Sequence, residues 1–181
     1  MKEVFDYLAS LIIGGTVTLT LVGFQAGIRD AAATQATNAA IQQDFTSLTN
    51  VIEYDIRKLG YRCSDSVDVI RADSTTFVFK GDINNDGIVE TVKFYLGDSS
   101  TCVTPGVSKL FRMVDTQPPL LLDPQVTLWR LAYYDGQGNQ TSNLGKIRSI
   151  RVSLTLQSGI PVDGSESGVC WERIITPLNL R

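Results

Sequence analysis

The chain contains no histidine at all. Its absence removes the commonest general base, the usual base of a catalytic triad and the commonest metal ligand near neutral pH. The three cysteines, at positions 63, 102 and 170, form no CxxC pair, and without histidine partners they do not make a zinc site of the ordinary kind. No proline precedes Pro105, so nothing in the first part of the chain breaks a helix. Basic blocks are missing as well. With 16 Lys and Arg against 19 Asp and Glu, the net charge is -3 and basic residues do not alternate with aromatic ones. Nucleic acid is therefore not an expected partner. Acid pairs such as Asp163 and Glu166 lie in a Gly/Ser-rich stretch and read as solvated. No Ser or Cys has a histidine to activate it, and the chain is not expected to be an enzyme.

A length of 181 residues allows one domain with a real core plus an appendage. The appendage is visible at once. From Tyr7 to Ile28 the chain reads YLASLIIGGTVTLTLVGFQAGI, 22 residues without a charge between Asp6 and the pair Arg29 and Asp30. At ~1.5 Å per residue this matches the ~30 Å core of a bilayer, which makes it a transmembrane candidate. A cleavable secretory signal fits less well, because a strongly basic start and a small-x-small cleavage site are both missing. Gly14, Gly15 and several Thr weaken the hydrophobicity, and small residues in membrane helices often serve as packing surfaces.

The helical pattern continues past the apolar span. Ile41, Phe45, Leu48, Ile52, Ile56 and Leu59 recur at spacings of three and four, one apolar stripe along an α-helix. Alanines at 31, 32, 33, 36, 39 and 40 bridge the two parts. Gly60 follows the last periodic residue, with Arg57 and Lys58 in the final turn, as at a helix end. One helix from about Asp6 to Leu59 is expected, its first half in lipid or in a bundle and its second half packed on a domain.

After Gly60 the pattern turns to β. Seven strands are expected, over Val67 to Arg71, Thr75 to Lys80, Thr91 to Leu96, Lys109 to Val114, Val126 to Tyr134, Arg148 to Gln157 and Val169 to Ile175. In the sixth, Ile150, Val152, Leu154 and Leu156 alternate with Arg151, Ser153 and Thr155, which gives one buried and one wet face. The stripe from Ile41 to Leu59 is available to cover it. The fold class is then α+β, a long N-terminal helix laid across an antiparallel sheet. Residues 1–30 are expected to form the hydrophobic part, for a membrane or a helix bundle, and 31–181 the globular head. Pro118-Pro119 and Asp123-Pro124 bracket LLL and suggest an irregular crossing. If the chain is exported, one disulfide with a leftover thiol is the simplest cysteine arrangement. Cys63 with Cys102 is favoured, since each lies at the edge of one strand group; Cys102 with Cys170 and three reduced thiols are the alternatives.

Between the second and third strands lies GDINNDGIVE, Gly81 to Glu90. With Asp82 as the first position, Asp82, Asn84, Asp86, the Ile88 carbonyl and Glu90 fall on alternate residues, and Gly87 sits where a sharp bend is needed. Alternate oxygen donors suit calcium. The helix-loop-helix version places Glu three residues beyond Glu90, where Lys93 stands, so the loop fits only a shorter variant closed by Glu90. Asn-Asp-Gly between strands is also ordinary hairpin chemistry. A hairpin turn accounts for Asn85, Asp86 and Gly87 but leaves Asp82 and Glu90 unexplained.

Together these features resemble the type IV pilin-like proteins, in particular the J-type minor pseudopilins of type II secretion and the W-type minor pilins. The apolar span runs unbroken into an amphipathic helix. That helix closes with NVIEYDIRKLGYRC, similar to the family's acidic-basic stretch followed by Gly-Tyr. The hairpin FVFKGDINNDGIVETVKFYL, and the closing IRSIRVSLTLQSG and WERIITPLNLR, resemble strands and tail of those heads. The family's leader, a short basic peptide ending in Gly before Phe, is not matched. Nor does an acid stand at the family's fifth position, which is Phe5 here; Glu3 or Asp6 would take that role.

The resemblance implies a subunit inserted in the bacterial inner membrane and then drawn by inner-membrane assembly machinery into an extracellular or periplasmic fibre. Its partners would be other pilin-like subunits, with the helices bundled at the centre and the acid near the N-terminus paired to a neighbour's amino group. Calcium would pin a head loop that neighbours contact. The alternative is a membrane-anchored, calcium-dependent adhesion or binding module that does not polymerise.

Overall fold

The computed structural model describes residues 2–64, 68–97, 106–157 and 168–180. The fold is α+β. A helix, α1 (Lys2–Arg57), is followed by seven strands: β1 (Val69–Ala72), β2 (Thr76–Gly81), β3 (Glu90–Leu96), β4 (Ser108–Val114), β5 (Leu120–Tyr134), β6 (Ser149–Gln157) and β7 (Gly168–Ile175). The strands form one sheet in sequence order, each antiparallel to the next. Such a meander needs only short connections and places consecutive strands side by side. The chain divides into two compact units, Met1–Gln42 and Gln43–Arg181.

In the first unit α1 is apolar and exposed. The stretch Lys2–Ala36 has a mean hydropathy of 1.8 and is long and apolar enough to cross a membrane. By length and composition, a stretch of that kind near an N-terminus can serve as an anchor or a signal sequence. Its hydroxyls are satisfied inside the helix: Thr16 Oγ1 donates to the Ile13 carbonyl at 2.9 Å, Thr18 to Gly14 at 2.8 Å and Thr20 to Val17 at 2.8 Å. These back-bonds let threonines sit in apolar surroundings without a stranded donor.

In the second unit the apolar stripe of α1 meets the sheet. Phe45, Leu48, Ile52, Ile56 and Leu59 are buried in one cluster with Phe77, Phe79, Val92, Phe94, Leu110, Trp129, Ile150, Val152 and Leu154. The side chain of Ile41 lies outside the described residues. On the sheet the aromatics pack in a chain, Phe77 to Phe79 at 5.0 Å between centroids, Phe79 to Phe94 at 6.4 Å and Phe94 to Trp129 at 6.3 Å. Two buried polar tips find carbonyls in the β1–β2 turn: Trp129 Nε1 donates to Thr75 at 3.0 Å and Tyr133 Oη to Asp73 at 2.8 Å.

All seven expected strands are present, with one correction. LLL is not an irregular crossing; Leu120 to Asp123 opens β5 and pairs with β4. The register there shifts, from Ser108 opposite Val126 to Leu110 opposite Asp123, so Pro124 falls at an irregularity where its missing N–H breaks no regular ladder. β6 joins β5 only from Val126 onward. Val67, expected to begin the first strand, lies outside the described residues. So do Cys102 and the acids Asp163 and Glu166.

Candidate functional site

The end of α1 and the β2–β3 loop are built as one junction. The last helical turn closes with the Lys58 N–H donating to the Tyr54 and Asp55 carbonyls. Gly60 then takes φ 74°, the left-handed conformation a helix terminator needs, and its N–H donates to the Lys80 carbonyl on β2 at 2.9 Å. The strand comes so close that a Cβ on Gly81 would collide with the Lys58 carbonyl. The Asp82 N–H then donates to the Tyr61 carbonyl at 3.0 Å, and Tyr54 Oη donates to the Ile83 carbonyl at 3.0 Å.

On this base the loop gathers its acids. One carboxylate oxygen from each of Asp82, Asp86 and Glu90 lies within 4.8 Å of the other two. Asp82 and Glu90 are buried, and Asp86 is exposed. Glu90 Oε2 accepts the Ile83 N–H at 2.8 Å. Asp82 Oδ2 accepts the Gly87 N–H at 3.1 Å and the Arg62 Nη1 at 2.8 Å. Burial by itself pushes the Asp82 carboxyl up; the Arg62 guanidinium and the Gly87 N–H reverse this and hold it below the usual carboxylate range. Its other oxygen, Oδ1, is buried with no hydrogen-bond partner among the described residues.

The other two expected residues are bonded to Asp86. Asn84 folds back on Asp86, accepting its N–H at 2.9 Å and donating to its Oδ2 at 2.8 Å. Ile88 donates its N–H to Asp86 Oδ1 at 2.7 Å, and its side chain is exposed. Three of the five expected residues thus converge as carboxylates, and the remaining two brace Asp86. Positive φ at Asn85 (66°) and Gly87 (91°) is the hairpin chemistry the Asn-Asp-Gly stretch foretold.

Sequence reading missed the loop's basic partners. Arg62 sits in the left-handed region at φ 58° and reaches Asp82 from beyond the helix end. Lys58, read only as a helix-terminal charge, bonds to Asn85 Oδ1 and lies 4.3 Å from the centroid of the Tyr61 ring. The surplus acid at 82, more than the turn requires, was the signal that a basic partner could face it.

Glu3 and Asp6 lie on the first two turns of α1, exposed, on one face with Tyr7 and Ser10. Cys63 is half-buried past the helix end and Cys170 is exposed on β7; no disulfide forms among the described residues. No known protein family matches this chain, and a comparison with curated proteins gave no match either.

Proposed function

We propose that the chain is a structural subunit of a type IV pilus-like or type II secretion pseudopilus-like filament, of the minor or initiating kind. One observation carries this reading. A single helix, Lys2–Arg57, offers an exposed apolar stretch at its start and, after Gln43, contributes the core stripe of the α+β head. Exposed Leu11, Leu19 and Phe24 demand either lipid or neighbouring helices. The subunit would rest in the bacterial inner membrane and be drawn by the assembly machinery into an extracellular or periplasmic fibre, where copies of the same helix supply the cover.

The helix surface suits close packing. Gly23 and Gly27 stand one turn apart, and a Cβ at either would meet nothing within 4 Å. This small-xxx-small spacing lets helix backbones approach closely. Glu3 and Asp6 would set the register, since a charge in an apolar bundle is tolerated only when paired. A membrane-anchored binding module that never polymerises would need none of this spacing.

The test compares Glu3→Gln with Asp6→Asn, and Gly27→Leu with wild type, for the amount of protein in membranes and in sheared fibres. The reading expects normal membrane levels for all, with fibre incorporation lost in Gly27→Leu and in at least one acid variant. Incorporation unchanged in all three would contradict it.

A further inference from the structure

We infer that the β2–β3 loop is a calcium site formed by Asp82, Asp86 and Glu90, and that its occupancy stiffens the junction with the end of α1. The buried Asp82 Oδ1 carries this inference. A carboxylate oxygen withdrawn from water without a partner is costly, and its residue is fully buried beside two further carboxylates. Arg62 pairs with Asp82, and among the described residues no ion pair reaches Asp86 or Glu90. Lys58 bonds to two neutral acceptors, Asn85 Oδ1 and, at 3.4 Å, the Asp82 carbonyl, rather than to a carboxylate of the triad. A divalent cation would bridge the three carboxylates and give Oδ1 a partner.

The donors decide which cation. All are oxygens, with no nitrogen or sulfur ligand within the triad, so a hard ion is favoured over zinc or copper. The set is irregular: two buried acids on the strand ends and one exposed acid at the loop tip. Calcium tolerates such irregularity with roughly six to eight oxygen ligands, whereas magnesium demands a near-ideal octahedron. Water would complete the coordination.

The ion's effect would reach beyond the loop. Asp82 is tied through its side chain to Arg62 and through its N–H to Tyr61, and the adjoining Ile83 carbonyl takes the Tyr54 hydroxyl. Fixing the Asp82 carboxylate therefore fixes the segment in which the helix turns into the sheet. None of this depends on whether the chain polymerises.

The experiment is calcium titration calorimetry and thermal melting of the full chain in detergent micelles, with chelator, calcium or magnesium. Wild type should bind one calcium per chain. Its Tm should rise by roughly 5–10 °C at about a hundredfold excess over Kd. Asp86→Asn, an exposed isosteric change, should melt like wild type in chelator and lose both the binding heat and the shift. Equal melting of wild type in calcium and chelator would overturn the site. So would a full shift retained by Asp86→Asn, and an equal response to magnesium would overturn the assignment to calcium.

Discussion

Arg112 on β4 donates to both oxygens of Asp55 on α1, from Nε at 2.5 Å and from Nη2 at 3.2 Å, across 57 residues of sequence. Asp55 is 1 % exposed, so the pair bridges helix and sheet inside the head. Burial outweighs the guanidinium and raises the Asp55 carboxyl above its ordinary value. The folded state thus holds that proton more tightly than the unfolded chain does. This group's contribution is full at the acid end and declines as pH rises through the folded value, so the pair is no acid-released latch. Near neutral pH, Asp55→Ala should cost about 3–5 kcal/mol, because it strands a largely buried guanidinium. Asp55→Leu combined with Arg112→Met should return to within about 2 kcal/mol of wild type. Denaturant melts of wild type, Asp55→Ala, Asp55→Leu, Arg112→Met and the double variant check both; additive losses in the last three would show that the residues do not act as a pair.

Gly81 is required by the same helix–sheet junction, at a different point. A Cβ there would run into the backbone carbonyl of Lys58, which no rotamer change relieves. Gly81→Ala should therefore destabilise the head by roughly 1–3 kcal/mol. Gly136→Ala, where the added carbon would lie 3.7 Å from the Arg148 side chain, is the control and should fall within about 0.5 kcal/mol of wild type. Chemical denaturation of both variants decides it.

Asp135 behaves oppositely to Asp55. In the turn after β5 its Oδ1 accepts the N–H groups of Asn139 and Gln137, each at 2.9 Å. These bonds hold the carboxyl below the usual carboxylate range. A depressed pKa contributes stability that is present above the unfolded value and lost as pH falls through the folded one. Asp135→Ala should lower Tm at neutral pH, and the gap to wild type should narrow below about pH 4. A gap constant down to about pH 2 would show that the charge contributes nothing.

Much of this architecture is legible in the residues. The alternation of Ile150, Val152, Leu154 and Leu156 specifies which face of β6 is buried, and all four are. The stripe from Phe45 to Leu59 predicts the face of α1 that covers the sheet, because spacings of three and four can line only one side of a helix. What escaped is long-range. Nothing local says that Arg112 will face Asp55, since pairing depends on sheet order and register. The opening of β5 escaped for a different reason: prolines on both sides of LLL speak against a strand, yet the irregular register at Pro124 absorbs the missing donor. At the loop, spacing alone singled out five donors. Only the fold shows that three of the carboxylates converge, and that Arg62 reaches Asp82 from beyond the helix end.

The most direct test of assembly through α1 is the intact mass and abundance of this chain in sheared surface fibres and, separately, in membranes. The account predicts the chain in the fibre fraction, with copies cross-linked to neighbours through cysteines introduced along the apolar stretch, such as Leu19→Cys. Recovery from membranes alone, with no cross-link between subunits at any such position, would contradict it and leave an anchored module in its place.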